Sequence, residues 1–291
     1  MKVLITGSKG QLGLELRRTM PSKYTLHGAD LDSLDISDPT SLIRIMQEQE
    51  PGVVINCAAY TAVDQAEQER ERAFAVNANG AGYLAKAVAV IEAKLIHIST
   101  DFVFDGTKSR PYMPDDEANP ISVYGASKLE GERRVLASAP SAIVLRTAWL
   151  YSPYGSNFVK TMLRLMGERE AIKVIADQVG TPTWAGGLAQ CIWAMVGRPD
   201  MRGIHHWTDA GVASWYDFAV AIQEFGLESG LLKSAIPIVP IRTEDYPTPA
   251  QRPNYSVLEK GHTWSELGGM SPHWRVPLRA VVNEIAFLAK G

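Results

Sequence analysis

Short apolar runs alternate with longer amphipathic ones through the first half of the chain. "KVLIT" reads as a buried strand, "GQLGLELRRTM" as a helix and "YTLHGAD" as a second strand. In "DPTSLIRIMQEQ" Asp38 stands as an N-cap and Pro39 takes the first helical position, so a helix starts there. "GVVINCAA" is a third strand, and "VDQAEQERERAFAVNANGAGYLAKAVAVIEA" is one long helix or two broken ones. "KLIHIST" follows as a fourth strand, the segment around Tyr124 as a helix, and "SAIVLRTAWLY" as a fifth strand. Near-continuous apolar strands in alternation with helices predict an α/β architecture, a doubly wound parallel sheet covered on both faces.

After residue 150 the rhythm changes. Helices are predicted over "NFVKTMLRLMGERE" and "AGGLAQCIWAMVG", then a strand "GIHHWTD" that returns to the sheet. Prolines leave "IPIVPIRTEDYPTPAQRPNYSVL" too broken for regular sheet, and an amphipathic helix, "PLRAVVNEIAFLAK", closes the chain. The predicted division is a first domain over residues 1–150, completed by part of 185–210, with a smaller lobe over 151–291.

Composition narrows the function classes. Of the 291 residues 46% are hydrophobic and 21% charged, the profile of a soluble globular protein. A net charge of -3 offers no basic surface for a phosphate backbone, which argues against nucleic acid as a partner. No apolar run is long enough to span a membrane, and "MKVLITGSKG" passes from methionine directly into a strand without a signal peptide. The expected location is cytoplasmic. Cys57 and Cys191 lie in apolar contexts and read as buried free thiols. His205 and His206 point to opposite faces of a strand, and no histidine has an i, i+4 histidine partner, so no metal site is predicted.

Chemistry enters at "GSKGQLG". Gly7, Gly10 and Gly13 fall between the first strand and the first helix, where glycines let the backbone approach a pyrophosphate on the helix N-terminus. This predicts dinucleotide binding. Asp30, at the end of the second strand, is placed to accept hydrogen bonds from the adenosine ribose and to repel a 2′-phosphate. Leu31 and Asp32 follow it rather than arginines, which favours NADH over NADPH. The alternative for Asp30 is an exposed strand-end acid.

Ser99, Thr100 and Asp101 end the fourth strand, the edge at which open parallel sheets bind ligands. In "ISVYGASKLEGERR" Tyr124 and Lys128 share one face of a helix. A phenol titrating at about 10 is a poor acid–base group at neutral pH, and a nearby ammonium lowers it by favouring phenolate. Lys128 can also hold a nicotinamide ribose, and Thr100 can donate to a substrate oxygen. An ordinary surface pair is the alternative.

G-x-x-G-x-x-G with Y-x-x-x-K resembles the extended short-chain dehydrogenase/reductases, which act largely on nucleotide sugars. "GQLG", "AAYTAVDQAE", "STDFVFDG", "VYGASKLEGE", "RTAWLY", "NFVKTMLRL", "DQVGTPT" and "YPTPAQRPNYSVL" resemble the dTDP-4-dehydrorhamnose reductase family over nearly the whole chain. The resemblance implies a Rossmann-type sheet with a smaller C-terminal substrate-binding lobe. It implies reduction of the C4 ketone of dTDP-4-dehydro-6-deoxy-L-mannose by NADH or NADPH, with Thr100, Tyr124 and Lys128 as catalytic residues. Gly10, Gln11, Leu12, Asp30, Asp35, Ile36, Ala59, Tyr60, Thr61 and Ile98 would line the cofactor site, and Thr100, Asp101, Tyr124 and Trp149 would meet the sugar nucleotide. Trp149 is equally readable as a core tryptophan. Arg252, in "AQRPNYS", offers a fork to a diphosphate or is a solvent-facing loop residue.

Departures from the family pattern are specific. Phe102 stands where the family usually has tyrosine. Some relatives dimerise around magnesium; Glu15 matches one ligand, but "AGGLAQCIW" lacks the acidic pair for the other, so no metal is carried over and a homodimer is only an expectation. The family often accepts NADPH, against the plain reading of Asp30, and NADH is expected to be at least accepted. Two rival readings stand. A nucleotide-sugar dehydratase or epimerase shares the loop and the Tyr/Lys pair, but the dehydratases' Asp-Glu is here Asp101 and Phe102. A non-catalytic cofactor-binding regulatory subunit would not need intact Thr100, Tyr124 and Lys128.

Overall fold

A computed structural model describes residues 1–290. Strand β1 (Lys2–Thr6) turns through the glycine loop into α1 (Gln11–Arg18), and β2 (Thr25–Ala29) follows. Helix α2 (Pro39–Gln49) starts as the sequence predicts, with the Asp38 carboxylate accepting from the amides of Thr40 and Ser41. After β3 (Val53–Asn56) come a short α3 (Val63–Ala66) and then α4 (Arg70–Phe74), which runs through a π-helical turn, Ala75–Gly80, into α5 (Ala81–Val90). The stretch that left one or two helices open is therefore a short helix and a longer one widened in its middle. That widening carries Asn77 inward, where it bonds both the amide and the carbonyl of Tyr60 and the Ser127 hydroxyl.

Next are β4 (Lys94–Thr100), a 3₁₀ turn (Asp101–Val103), α6 (Val123–Ser138) and β5 (Ile143–Thr147). The fifth strand is shorter than "SAIVLRTAWLY" suggests. Trp149 adopts φ 45°, left-handed for a bulky residue, and the chain leaves the sheet there; β6 (Leu150–Tyr151) pairs elsewhere. The lobe then contains α7 (Phe158–Glu168), β7 (Ile172–Ile175), β8 (Val179–Gly180) and β9 (Thr183–Trp184). Helix α8 (Ala185–Val196) and β10 (Gly203–His206) return to the first half of the molecule, and β11 (Ala213–Ser214) and α9 (Trp215–Glu228) go back to the lobe. Strand β12 (Ile238–Ile241), α10 (Gly261–Leu267) and α11 (Arg275–Leu288) complete the described chain.

The central sheet is parallel throughout, in the order β10-β5-β4-β3-β1-β2, so "GIHHWTD" does rejoin it, beside β5. Alternating side chains feed two cores. Val3, Ile5, Val53 and Ile55 pack with α1 and α8 on one face, while Leu4, Val54 and Val144 pack with α2 and α5 on the other. A third core, around Phe218, Phe225, Leu278 and Val281, holds the lobe helices α9 and α11 together.

Two expectations need correction. The proline-rich tail does contain sheet: β12 pairs in parallel with β7, and Pro240 is tolerated because the ribbon has only two strands and a free edge. Both cysteines are free, but only Cys191 is buried; Cys57 is half-buried, at the end of β3 where the sheet opens into a cavity. Among the described residues no helix is long and apolar enough to cross a membrane.

Candidate active site

A cavity of about 880 Å³ opens over the C-terminal ends of the strands, between the sheet and the lobe. It brings together every residue the sequence singled out: Gly7, Gly10, Gln11, Leu12, Gly13, Asp30, Asp35, Ile36, Ala59, Tyr60, Thr61 and Ile98 at one end, and Thr100, Asp101, Tyr124, Lys128, Trp149 and Arg252 at the other. Cys57, Arg72, Phe102 and Trp215, which the sequence did not assign, share the lining.

The glycine loop is tight enough to require its glycines. Gly7 has φ 67°, and a Cβ there would lie 2.8 Å from the Ala58 amide nitrogen; a Cβ on Gly13 would lie 2.5 Å from the Gly7 carbonyl oxygen. Gly10 precedes α1 without any side-chain cap, so the first amides of the helix face the cavity. That cradle fits a pyrophosphate. Asp30 is not a free strand-end acid: its carboxylate accepts from the Ser8 hydroxyl at 2.6 Å and from the Lys9 amide at 2.9 Å.

Helix α6 begins at Ser122, whose hydroxyl accepts from the Gly125 amide at 3.2 Å. A Cβ on Gly125 would sit 2.1 Å from the Phe102 carbonyl oxygen, so this glycine lets α6 press against the 3₁₀ turn. Tyr124 then meets the Phe102 ring edge-on, centroids 5.6 Å apart at 74°. Thr100 donates to Asp101 Oδ1 at 3.1 Å and accepts from the Phe102 amide at 3.2 Å. The same hydroxyl stands beside the Tyr124 phenol, whose titration it lowers. Asp101 is buried, its Oδ2 without a partner in hydrogen-bond geometry, and burial pushes its carboxyl up to about 6, with the Ser256 and Thr100 hydroxyls opposing.

The expected lowering of the phenol by its lysine is not what the structure gives. Burial pushes Tyr124 up to about 12, helped by the Asp101 charge and opposed by the Thr100 hydroxyl. Lys128 is itself buried and donates to the Ile98 carbonyl at 2.7 Å; desolvation brings it down to about 8, with Glu132 and Cys57 opposing. Because the ammonium is turned to the strand, the phenol keeps its proton at neutral pH. It is an acid in waiting rather than a phenolate.

One turn beyond Lys128, Glu132 forms a buried pair with Arg146 of β5, at 2.7 and 2.9 Å, and accepts the Ser99 hydroxyl. This anchors α6 to β4 and β5. Sequence reasoning missed Glu132, Arg146 and Asn77; only the i, i+4 spacing of Lys128 and Glu132 hinted at one of them.

Trp149 is not a fully buried core residue. It is half-buried on the cavity wall, and its ring stacks on Trp215 with centroids 3.5 Å apart and planes at 6°. Arg252 matches neither of its readings. Its fork is closed on Asp64 at 2.9 and 2.7 Å, with Thr248 Oγ1 at 2.7 Å, so it is neither solvent-facing nor free for a diphosphate. Glu15 is buried, and its carboxylate accepts from Arg18 at 2.8 Å and Ser152 at 3.0 Å. Among the described residues no group of three or more His, Cys, Asp or Glu is arranged to hold a metal ion.

The family model described as RmlD substrate binding domain matches residues 1–287. The chain is 40% identical to the dTDP-4-dehydrorhamnose reductase of Aggregatibacter actinomycetemcomitans, over 96% of this chain and 98% of the relative. It is 41% identical to a probable dTDP-4,6-dihydroxy-2-methyloxan-3-one 4-ketoreductase of Streptomyces antibioticus, over 98% and 96%. A crystal structure of dTDP-4-dehydrorhamnose reductase from Bacillus anthracis in complex with NADP superposes with a TM-score of 0.92 at 38% identity, covering 97% of this chain and 99% of that one.

Proposed function

The chain belongs to the RmlD substrate binding domain family, and on that premise we propose that it is the enzyme that reduces the C4 ketone of dTDP-4-dehydrorhamnose to give dTDP-L-rhamnose. The observation that carries this reading is one cavity lined at one end by a glycine cradle and at the other by a protonated, half-buried tyrosine. When bound, a reduced nicotinamide dinucleotide, NADH or NADPH, supplies the hydride. The relative holding NADP supports the second form.

The remaining work belongs to side chains. Tyr124 delivers its proton to the carbonyl oxygen as negative charge grows there, which a phenol pushed up to about 12 does only when the acceptor is an alkoxide. Lys128, buried and held by the Ile98 carbonyl, is the residue that holds the nicotinamide ribose beside Tyr124. Thr100, bonded to Asp101 and beside the Tyr124 phenol, holds a hydroxyl in place at the substrate edge. Trp149 and Trp215 form a flat apolar wall against which a sugar or base packs.

Residues 1–150 with part of 185–210 are assigned to the dinucleotide and the rest of 151–291 to the sugar nucleotide. The substrate class supports a cytoplasmic location. Exposed Val276, Phe287 and Leu288 on α11 support a homodimer, which the mass in solution tests. A second reading has one specific support: the Streptomyces antibioticus relative is named for 4-keto reduction of a different dTDP sugar at equal similarity. The deciding experiment mixes the protein with dTDP-4-dehydrorhamnose and follows nicotinamide absorbance with NADH and NADPH in parallel. Rapid oxidation carries the reading. Silence with a protein that still binds cofactor overturns it, in favour of another sugar or of the regulatory subunit.

A further inference from the structure

The rim beyond Asp30 holds charges that the dinucleotide reading leaves unused. Lys9 lies in the glycine loop; its backbone amide holds Asp30, and its exposed ammonium reaches past that residue to Asp32, forming an ion pair. Arg17, on α1, is exposed, while its neighbour Arg18 is the one paired with Glu15. The Arg17 guanidinium lies over Gly28, where a Cβ would stand 2.5 Å from Nη2 and 2.7 Å from the Ser8 hydroxyl that binds Asp30. The missing side chain of Gly28 is what gives Arg17 this place.

Asp30, with no arginine directly after it, disfavours a 2′-phosphate on its own. The structure supplies the cations from elsewhere, the loop before α1 and the helix itself. Asp30 is meanwhile occupied by two donors, and the Lys9 ammonium offsets the charge of Asp32. We infer that Lys9 and Arg17 form the site for the 2′-phosphate of NADPH, and that Asp32 is a resident counter-ion which Lys9 leaves when that phosphate arrives. The inference rests on the dinucleotide reading of the glycine loop and specifies which dinucleotide the site takes. A doubly charged phosphate attracts the ammonium more strongly than one exposed carboxylate does, and exposed ion pairs are held weakly. The exchange therefore costs little.

Binding of NADP⁺ and NAD⁺ to the full chain, measured by titration calorimetry, tests this without turnover. Lys9→Gln and Arg17→Gln are each expected to lower the NADP⁺ to NAD⁺ affinity ratio about tenfold, the size of one charge-assisted hydrogen bond. Asp32→Asn is expected to raise the ratio several-fold, and added salt to shrink it in the native chain. Equal effects on both dinucleotides, or an unchanged ratio in all three variants, would overturn the inference. Binding of neither dinucleotide by the native chain overturns the glycine-loop reading as well, so the two failures are told apart.

Discussion

Arg252 and Asp64 lie 188 residues apart in sequence and meet through two parallel hydrogen bonds, 2.9 and 2.7 Å long, on the wall of the cleft. One belongs to the C-terminal loop, the other to α3, beside the Ala59–Tyr60–Thr61 segment that lines the cofactor end. The pair therefore ties the C-terminal loop to the sheet domain. Their side chains are 21% and 40% exposed, so water screens the pair and its coupling is expected at about 1 kcal/mol. A double-mutant cycle of Asp64→Asn and Arg252→Gln in urea measures it, and Asp64→Asn is expected to raise the KM for the sugar nucleotide more than it lowers kcat.

Tyr124→Phe keeps the ring that meets Phe102 edge-on and removes only the hydroxyl. Cofactor affinity is expected within twofold of the native value, while kcat falls by roughly 10²–10⁴, the usual contribution of a positioned general acid. Single-turnover kinetics alongside a cofactor titration measures both, and near-native turnover would remove Tyr124 from the mechanism.

Asp101 gives a pH signature whose sign can be worked out. Its carboxyl is held up at about 6 in the folded chain against 3.8 as the ordinary value, so between those limits the native state binds the extra proton. The stability this proton confers is present at low pH and lost as pH rises from about 4 to about 6. A shift of this size corresponds to about 3 kcal/mol at most. Asp209, buried and also raised to about 6, contributes with the same sign. Asp101→Asn should thus flatten, without abolishing, the fall in urea midpoint across that window, and a slope equal to native would refute the assignment.

Glu132 and Arg146 are both almost fully buried, so removing one leaves the other's charge stranded. Glu132→Gln is expected to cost about 3–5 kcal/mol, whereas the paired change Glu132→Leu with Arg146→Met should recover most of it. Stability of that double variant near native, with kcat still reduced, would show that the pair serves the placement of α6 and not the fold alone.

Gly125→Ala places a methyl where the Phe102 carbonyl already stands. Helix α6 must retreat, taking Tyr124 and Lys128 with it, and a loss of about 1–3 kcal/mol in stability is expected with a larger proportional loss in kcat. Unfolding curves and initial rates on the same preparation check the pairing.

What the sequence made readable was whatever is written locally. The Asp38 cap with Pro39, the glycine spacing and the four-residue step from Tyr124 to Lys128 are all decided within one turn of chain. Less readable were contacts set by distant neighbours. Nothing near Lys128 says that its ammonium will prefer the Ile98 carbonyl to the phenol, and nothing near Arg252 announces Asp64. The break at Trp149 is similar: "RTAWLY" is good strand sequence, and only the stack on Trp215 and the bare backbone of Gly180 favour its left-handed turn. Pro240 hid β12 because proline forbids central strands but not free edges.

The order of the central sheet also has a consequence for synthesis. Strand β5 ends at Thr147, yet the neighbour that covers its outer edge, β10, begins only at Gly203. At about 5–20 residues per second, a ribosome leaves that edge uncovered for on the order of several seconds while the intervening residues are made. During that interval Ile143, Val144 and Leu145 present unpaired backbone to any extended chain nearby. Yield at high expression rates should therefore respond to anything that delays residues 148–202 more than to changes anywhere in the finished active site.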